Sequence, residues 1–272
     1  MEYFSAKAFL LGALLFSFLF LSNIIYSLFC YIFKIKIVEF GIFANAWFSL
    51  YTKNILGTNF ILGWLPFSCH IKPLGGMIDD EEERKKIKSE DLPYTFFNKP
   101  KYLQTIFRSV PWILYLLVLD ISILIVYNSN VVSGISDLTK YFVKSLQTMF
   151  GDNSERAQFI LMTKEIILGK SLLLFSFSLL MLVMLILTSI TIINGWVLNY
   201  KLNKSKIPEL VGYAIYILLF WFILWKIPKF VFSFFTLYQS LIYISSFIVG
   251  LFSVGVVFFF ITLFVAKNVF KK

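Results

Sequence analysis

Residues 8–33 read AFLLGALLFSFLFLSNIIYSLFCYIF, a run without a single charged side chain, and residues 34–40 behind it read KIKIVEF. A helix crosses the hydrocarbon core of a bilayer with about 20 apolar residues. The run therefore supplies one complete span, interrupted only by small or amide groups such as Ser22 and Asn23. The rest of the chain agrees with this solvent. Of its 272 residues 59% are hydrophobic, 15% are charged and 33 are Phe, more apolar surface than one water-soluble core of this size takes in.

Four further charge-poor runs follow. Residues 109–136 hold a single acid, Asp120, and residues 171–200 hold none. Residues 210–225 are short, with Pro208 near the start, where a helix N-terminus tolerates proline. Residues 230–266 are longer than one perpendicular helix requires and read as an interfacial lead into one tilted span, or as a tight hairpin of two. The expected fold is a polytopic α-helical membrane protein, one membrane domain over 1–272 with about five transmembrane helices at 6–33, 109–127, 171–200, 210–225 and 230–266.

Counting Lys and Arg on alternate sides of five spans places 17 on one side and 8 on the other, which directs the N-terminus out and the C-terminus in. The net charge of +10 then belongs to topology and to contact with anionic lipid heads on the inside face. It does not point to nucleic acid, because the basic residues are not gathered on a soluble domain. Cys30 in a span and Cys69 in an inside segment give no disulfide framework. The start Met-Glu-Tyr-Phe-Ser lacks the basic region of a cleaved signal, so the first run is expected to stay as an uncleaved helix. The expected location is the integral membrane, the bacterial cytoplasmic membrane in particular.

The inside segment 34–108 opens with strand-like alternation at Ile35, Ile37 and Phe40 and again at Phe48 and Leu50. A turn is expected at Asn54–Thr58 around Gly57, and a return strand over 59–72 ended by Pro73 and Gly75-Gly76. Together these predict a small membrane-associated β-hairpin flap between the first and second spans. Residues 79–91 interleave acids and bases and read as a solvated loop or short exposed helix. In the outside segment 128–170, Ile135, Leu138, Phe142, Leu146 and Met149 recur at helical spacing, with Ser136 placed to cap and Gly151 to end an amphipathic helix.

Several short motifs stand in a joint order. Ile37-Val38-Glu39-Phe40 is followed by Gly63-Trp64-Leu65-Pro66, then Gly76-Met77-Ile78-Asp79, then Phe97-Asn98-Lys99-Pro100 before the second span, and later by Ile193-Asn194-Gly195 and Ser205-Lys206-Ile207-Pro208-Glu209. In this order and spacing, over roughly residues 15–225, the chain resembles the site-2 protease family of intramembrane zinc metalloproteases. That family carries HExxH on its first core span, two His one turn apart on one zinc with a Glu as general base. Counting back from Val38-Glu39-Phe40 sets this motif on Ser22-Asn23-Ile24-Ile25-Tyr26. Ser22 and Tyr26 stand for the two His, Asn23 for the base, and Asn194 for the Asp of the family's LDG motif. The Gly-Gly turn that the family has after LP falls on Ser68-Cys69. Residues 128–164 are too few for the PDZ domain that many members insert.

The resemblance thus implies a catalytically inactive member, with no metal and no cofactor. The chain has one His, His70, which lies on the flap, and a substitute ligand set of Cys30, His70 and Asp120 has no spacing motif behind it. If the family fold is kept, Asn23 and Asn194 face each other, as a polar clasp closing the old metal cavity or as a ligand site. Active relatives hold a substrate's transmembrane segment between helices and add its unwound part to the flap edge, so the binding candidates are Glu39, Phe40, Trp64, Pro66 and Phe67. Asp120 joins them because intramembrane acids are costly and face a partner or a cavity; a Tyr or Ser partner, or water near the outer interface, would explain it equally. The expected function is binding or scaffolding of another membrane protein or its transmembrane segment. The alternative is a subunit of a transport or secretion complex. Residual proteolysis ranks last, since Ser22 has no base near it in the span.

Overall fold

The computed structural model of the chain describes residues 3–45, 47–76, 87–127, 131–151, 154–155, 157–162, 172–201, 217, 221, 225 and 236–269. It is mostly helical, with a small sheet near the N-terminus. Helix α1 spans Ala6–Ile32, strands β1 to β4 span Ile37–Ala44, Tyr51–Ile55, Thr58–Leu62 and Leu65–Pro73, and a 3-10 turn covers Ser89–Tyr94. Helices α2, α3, α4 and α5 follow at Lys101–Tyr127, Val131–Phe150, Leu172–Lys201 and Leu237–Val269. Three of these, α1, the first 25 residues of α2 and α5, are long and apolar enough to cross a membrane. The described part of α4 has an apolar stretch over Leu173–Ile186, and the expected crossing at 210–225 lies outside the described residues except for positions 217, 221 and 225. The last apolar run is one unbroken helix from Leu237, not a hairpin.

The chain divides into two compact units, residues 5–111 with 245–272, and residues 1–4 with 112–244. The first holds α1, the sheet, the start of α2 and most of α5. Ser5 accepts from the Ala8 amide and caps α1. At its other end the amide of Lys34 donates to Tyr31 and that of Ile35 to Cys30 at 2.7 Å, with Lys34 in the left-handed region at φ 51°. This is a Schellman closure, and it turns the chain so that β1 runs back along the helix it has just left. Phe40 meets Phe20, and Phe43 meets Phe16, so later strand residues touch earlier helix residues.

The expected β-hairpin is instead a four-stranded mixed sheet in the order β2-β3-β1-β4. The predicted return strand 59–72 is broken by Gly63-Trp64 into β3, parallel to β1, and β4, antiparallel to it. The hairpin that does form joins β2 to β3 through Leu56 and Gly57, both at positive φ, the two-residue turn whose twist suits paired strands. One face of the sheet packs on α1 and α5, with Phe16, Ile42, Phe43, Leu62, Leu251 and Phe259 in a common core.

Helices α1 and α5 run parallel. Gly12 lies against Phe247 and Leu251, Gly250 against Phe9, and Phe20 stacks on Phe258. A Cβ at Gly12 or Gly250 would collide with the facing backbone, which is how small residues let membrane helices approach. In the second unit α2 and α4 run antiparallel, since Trp112 Nε1 donates to Ser189 and Ser178 to Ser122. Helix α3 packs Tyr141 on Phe175 of α4. It starts five residues before the predicted cap Ser136, which lies inside it, and ends at the predicted Gly151.

Candidate functional site

The site lies in the first unit, where α1 meets the β4 side of the sheet. A cavity of about 560 Å³ is lined by Tyr26, Glu39, Asn45, His70, Lys72 and Phe96 among others. His70 and Gly41 are directly opposed on β4 and β1. The imidazole lies across Gly41 so closely that any Cβ there would collide with it. Glu39, two residues away on the same face of β1, takes His70 Nε2 at 2.8 Å. A missing side chain and a neighbouring carboxylate thus fix the only imidazole of the chain at the cavity wall.

The positions that the resemblance sets against the HExxH motif make the following contacts. Asn23 Nδ2 donates to the carbonyls of Leu19 and Cys69, each at 2.9 Å. Ile42 receives Gly63 on its β3 side, so its cross-strand partner Cys69 occupies a non-hydrogen-bonded position of the β1–β4 ladder and its carbonyl faces the outer edge. Asn23 therefore ties the outer edge of β4 to α1. Asn194 lies in α4, and its side chain falls outside the described residues. Ser22 is buried. Tyr26 packs edge-on against Phe107, which also meets Phe29, Phe33 and Phe96.

These residues do not fit a zinc ion. A carboxamide whose nitrogen donates to two carbonyls offers no anionic ligand, and among the described residues no three His, Cys, Asp or Glu side chains gather where they would hold a metal. The thiol of Cys69 is pushed up to about 12 by burial, so it stays protonated at neutral pH.

The other binding candidates are spread. Phe40 is 4% exposed and packs in the core with Phe20 and Phe60, and Pro66 is buried. The side chain of Phe67 falls outside the described residues. Trp64 stacks with Trp47 and Phe48, of which Trp47 is 82% exposed. Asp120 lies in the second unit; its Oδ1 is buried and has no hydrogen-bond partner among the described residues. Sequence reasoning missed Gly41, Asn45, Trp47 and the Glu39–His70 pair. Its one available signal was that the single His and a flap Glu both sit in strand-like stretches. No protein-family model matches the chain, and no curated protein matches it.

Proposed function

We propose that the protein is a non-catalytic, site-2-protease-like membrane protein that holds a segment of a partner membrane protein at the cavity between α1 and β4. The observation carrying this reading is the Asn23–Cys69 bond: the residue standing where the family has its general base serves as a strut, while the cavity beside it keeps a polar lining of Tyr26, Glu39, Asn45 and His70. A partner backbone unwound there finds acceptors and donors that lipid does not offer.

The reading keeps five crossings, α1, α2, α4, α5 and residues 210–225, the charge-free run between Lys201 and Leu237.

The test is purification of the full chain in mild detergent with identification of what stays bound. A membrane protein in fixed ratio, lost on Tyr26→Ala, supports the reading; a chain that remains alone from native membranes overturns it. The buried, unpartnered Oδ1 of Asp120 favours a second reading, a subunit of a transport complex. That reading requires flux through the assembly to fall on Asp120→Asn.

A further inference from the structure

Away from the α1–β4 cavity, β2 and the C-terminal half of α5 enclose a second groove in the first unit, of about 540 Å³. Its walls are Ile55, Phe260, Leu263 and Phe264, and Lys53 and Lys267 also line it. Tyr51, Lys53 and Ile55 share one face of β2 by strand alternation. Tyr51 packs edge-on against Phe259 of α5 and Ile55 joins the core. Lys53 is thus a cation on a face otherwise given to apolar contact with a helix. Lys267 stands in the last turn of α5, and neither lysine has an ion-pair partner among the described residues.

From this juxtaposition we infer that the groove is a binding site for one anionic phospholipid, with an acyl chain along Phe260 and Phe264 and the headgroup phosphate between Lys53 and Lys267. The inference rests on α5 being a membrane span, as its length and composition allow. Phe264 is 69% and Phe260 58% exposed, so one wall is open to acyl chains. Two ammonium groups on one apolar groove repel each other unless an anion sits between them, and the low dielectric at a membrane edge strengthens both effects. A soluble anion would leave the apolar walls uncovered. A zwitterionic lipid would bring its own cation to the lysines. The phosphate of an anionic lipid, tethered to a chain that covers the walls, meets both requirements.

Native mass spectrometry of the full chain in detergent, with phosphatidylglycerol and phosphatidylcholine of equal chain length, tests this. Phosphatidylglycerol should be retained about thirtyfold better, as two lysines near a lipid surface provide. The preference should fall to about parity in Lys53→Gln/Lys267→Gln, persist in Lys53→Arg/Lys267→Arg, and persist in Lys271→Gln/Lys272→Gln, which removes tail charge alone. Phe264→Ala should weaken both lipids alike. Equal retention of the two lipids, a preference that follows the tail lysines, displacement by inorganic phosphate, or a second copy of the chain occupying the groove would each overturn the site. None of these outcomes bears on partner capture at the α1–β4 cavity.

Discussion

Asn23 Nδ2 on α1 stands 2.9 Å from the carbonyl oxygen of Cys69 on β4, and this bond closes part of the outer edge of the sheet against the helix. Asn23→Leu keeps the bulk and removes the donor, leaving that carbonyl unpaired. The fold should lose about 1–2 kcal/mol, read as a lower thermal midpoint in detergent. Asn23→Asp, which has no amide donor, should cost at least as much, whereas Asn23→Gln should recover part of the loss.

Gly41 exists to admit the ring of His70. Gly41→Ala should displace the imidazole and separate it from Glu39, with a loss of about 1–3 kcal/mol from overpacking. In a spectrum of isotope-labelled protein the single histidine should move to the position it takes in Glu39→Gln.

The parallel crossing of α1 and α5 depends on Gly12 and Gly250. Gly12→Leu, facing the Phe247 carbonyl, should force the helices apart at a cost of about 1–3 kcal/mol or more. A cysteine pair at Ser5 and Ser246, whose backbone nitrogen and hydroxyl lie 2.9 Å apart, should crosslink in the parent chain and much less in that variant.

Burial raises the Cys69 thiol to about 12, so the fold favours its neutral form. Below the ordinary thiol value of about 8.5 both folded and unfolded states hold the proton, and the full stability is present. As pH rises from there towards 12 the unfolded chain ionises first, and that stability is lost. A thiol reagent that crosses membranes should leave Cys69 unmodified at pH 7.5 in the folded protein and modify it after denaturation.

How far the sequence alone reaches differs between elements for physical reasons. α1 was legible because hydrocarbon thickness sets a length that residues 8–33 meet without a charge, and α5 was legible as an apolar run whose continuity only helix packing decided. The sheet was legible as strands but not as a topology. Parallel pairing of β1 with β3 joins residues twenty apart in register, Glu39 with Asn59, and nothing local marks it. The reversal after α1 was hidden because Lys34, not glycine, takes the left-handed position. Of the site, Glu39 and Tyr26 were visible as motif positions. Gly41 and His70 acquire meaning only from the register that opposes them, and the partner of Asn23 is set by an edge carbonyl, a backbone group that no side-chain pattern reports.

The central claim is capture of a partner segment at the cavity beside Asn23, and site-specific photo-crosslinking in native membranes addresses it most directly. Crosslinkers replacing Tyr26 and Asn45 at the cavity and Trp64 at the neighbouring aromatic stack should yield one discrete protein adduct. One replacing Val257, exposed on α5, should yield lipid adducts only. Protein adducts at an α3 position such as Phe142, with none at Tyr26, Asn45 or Trp64, would contradict the account.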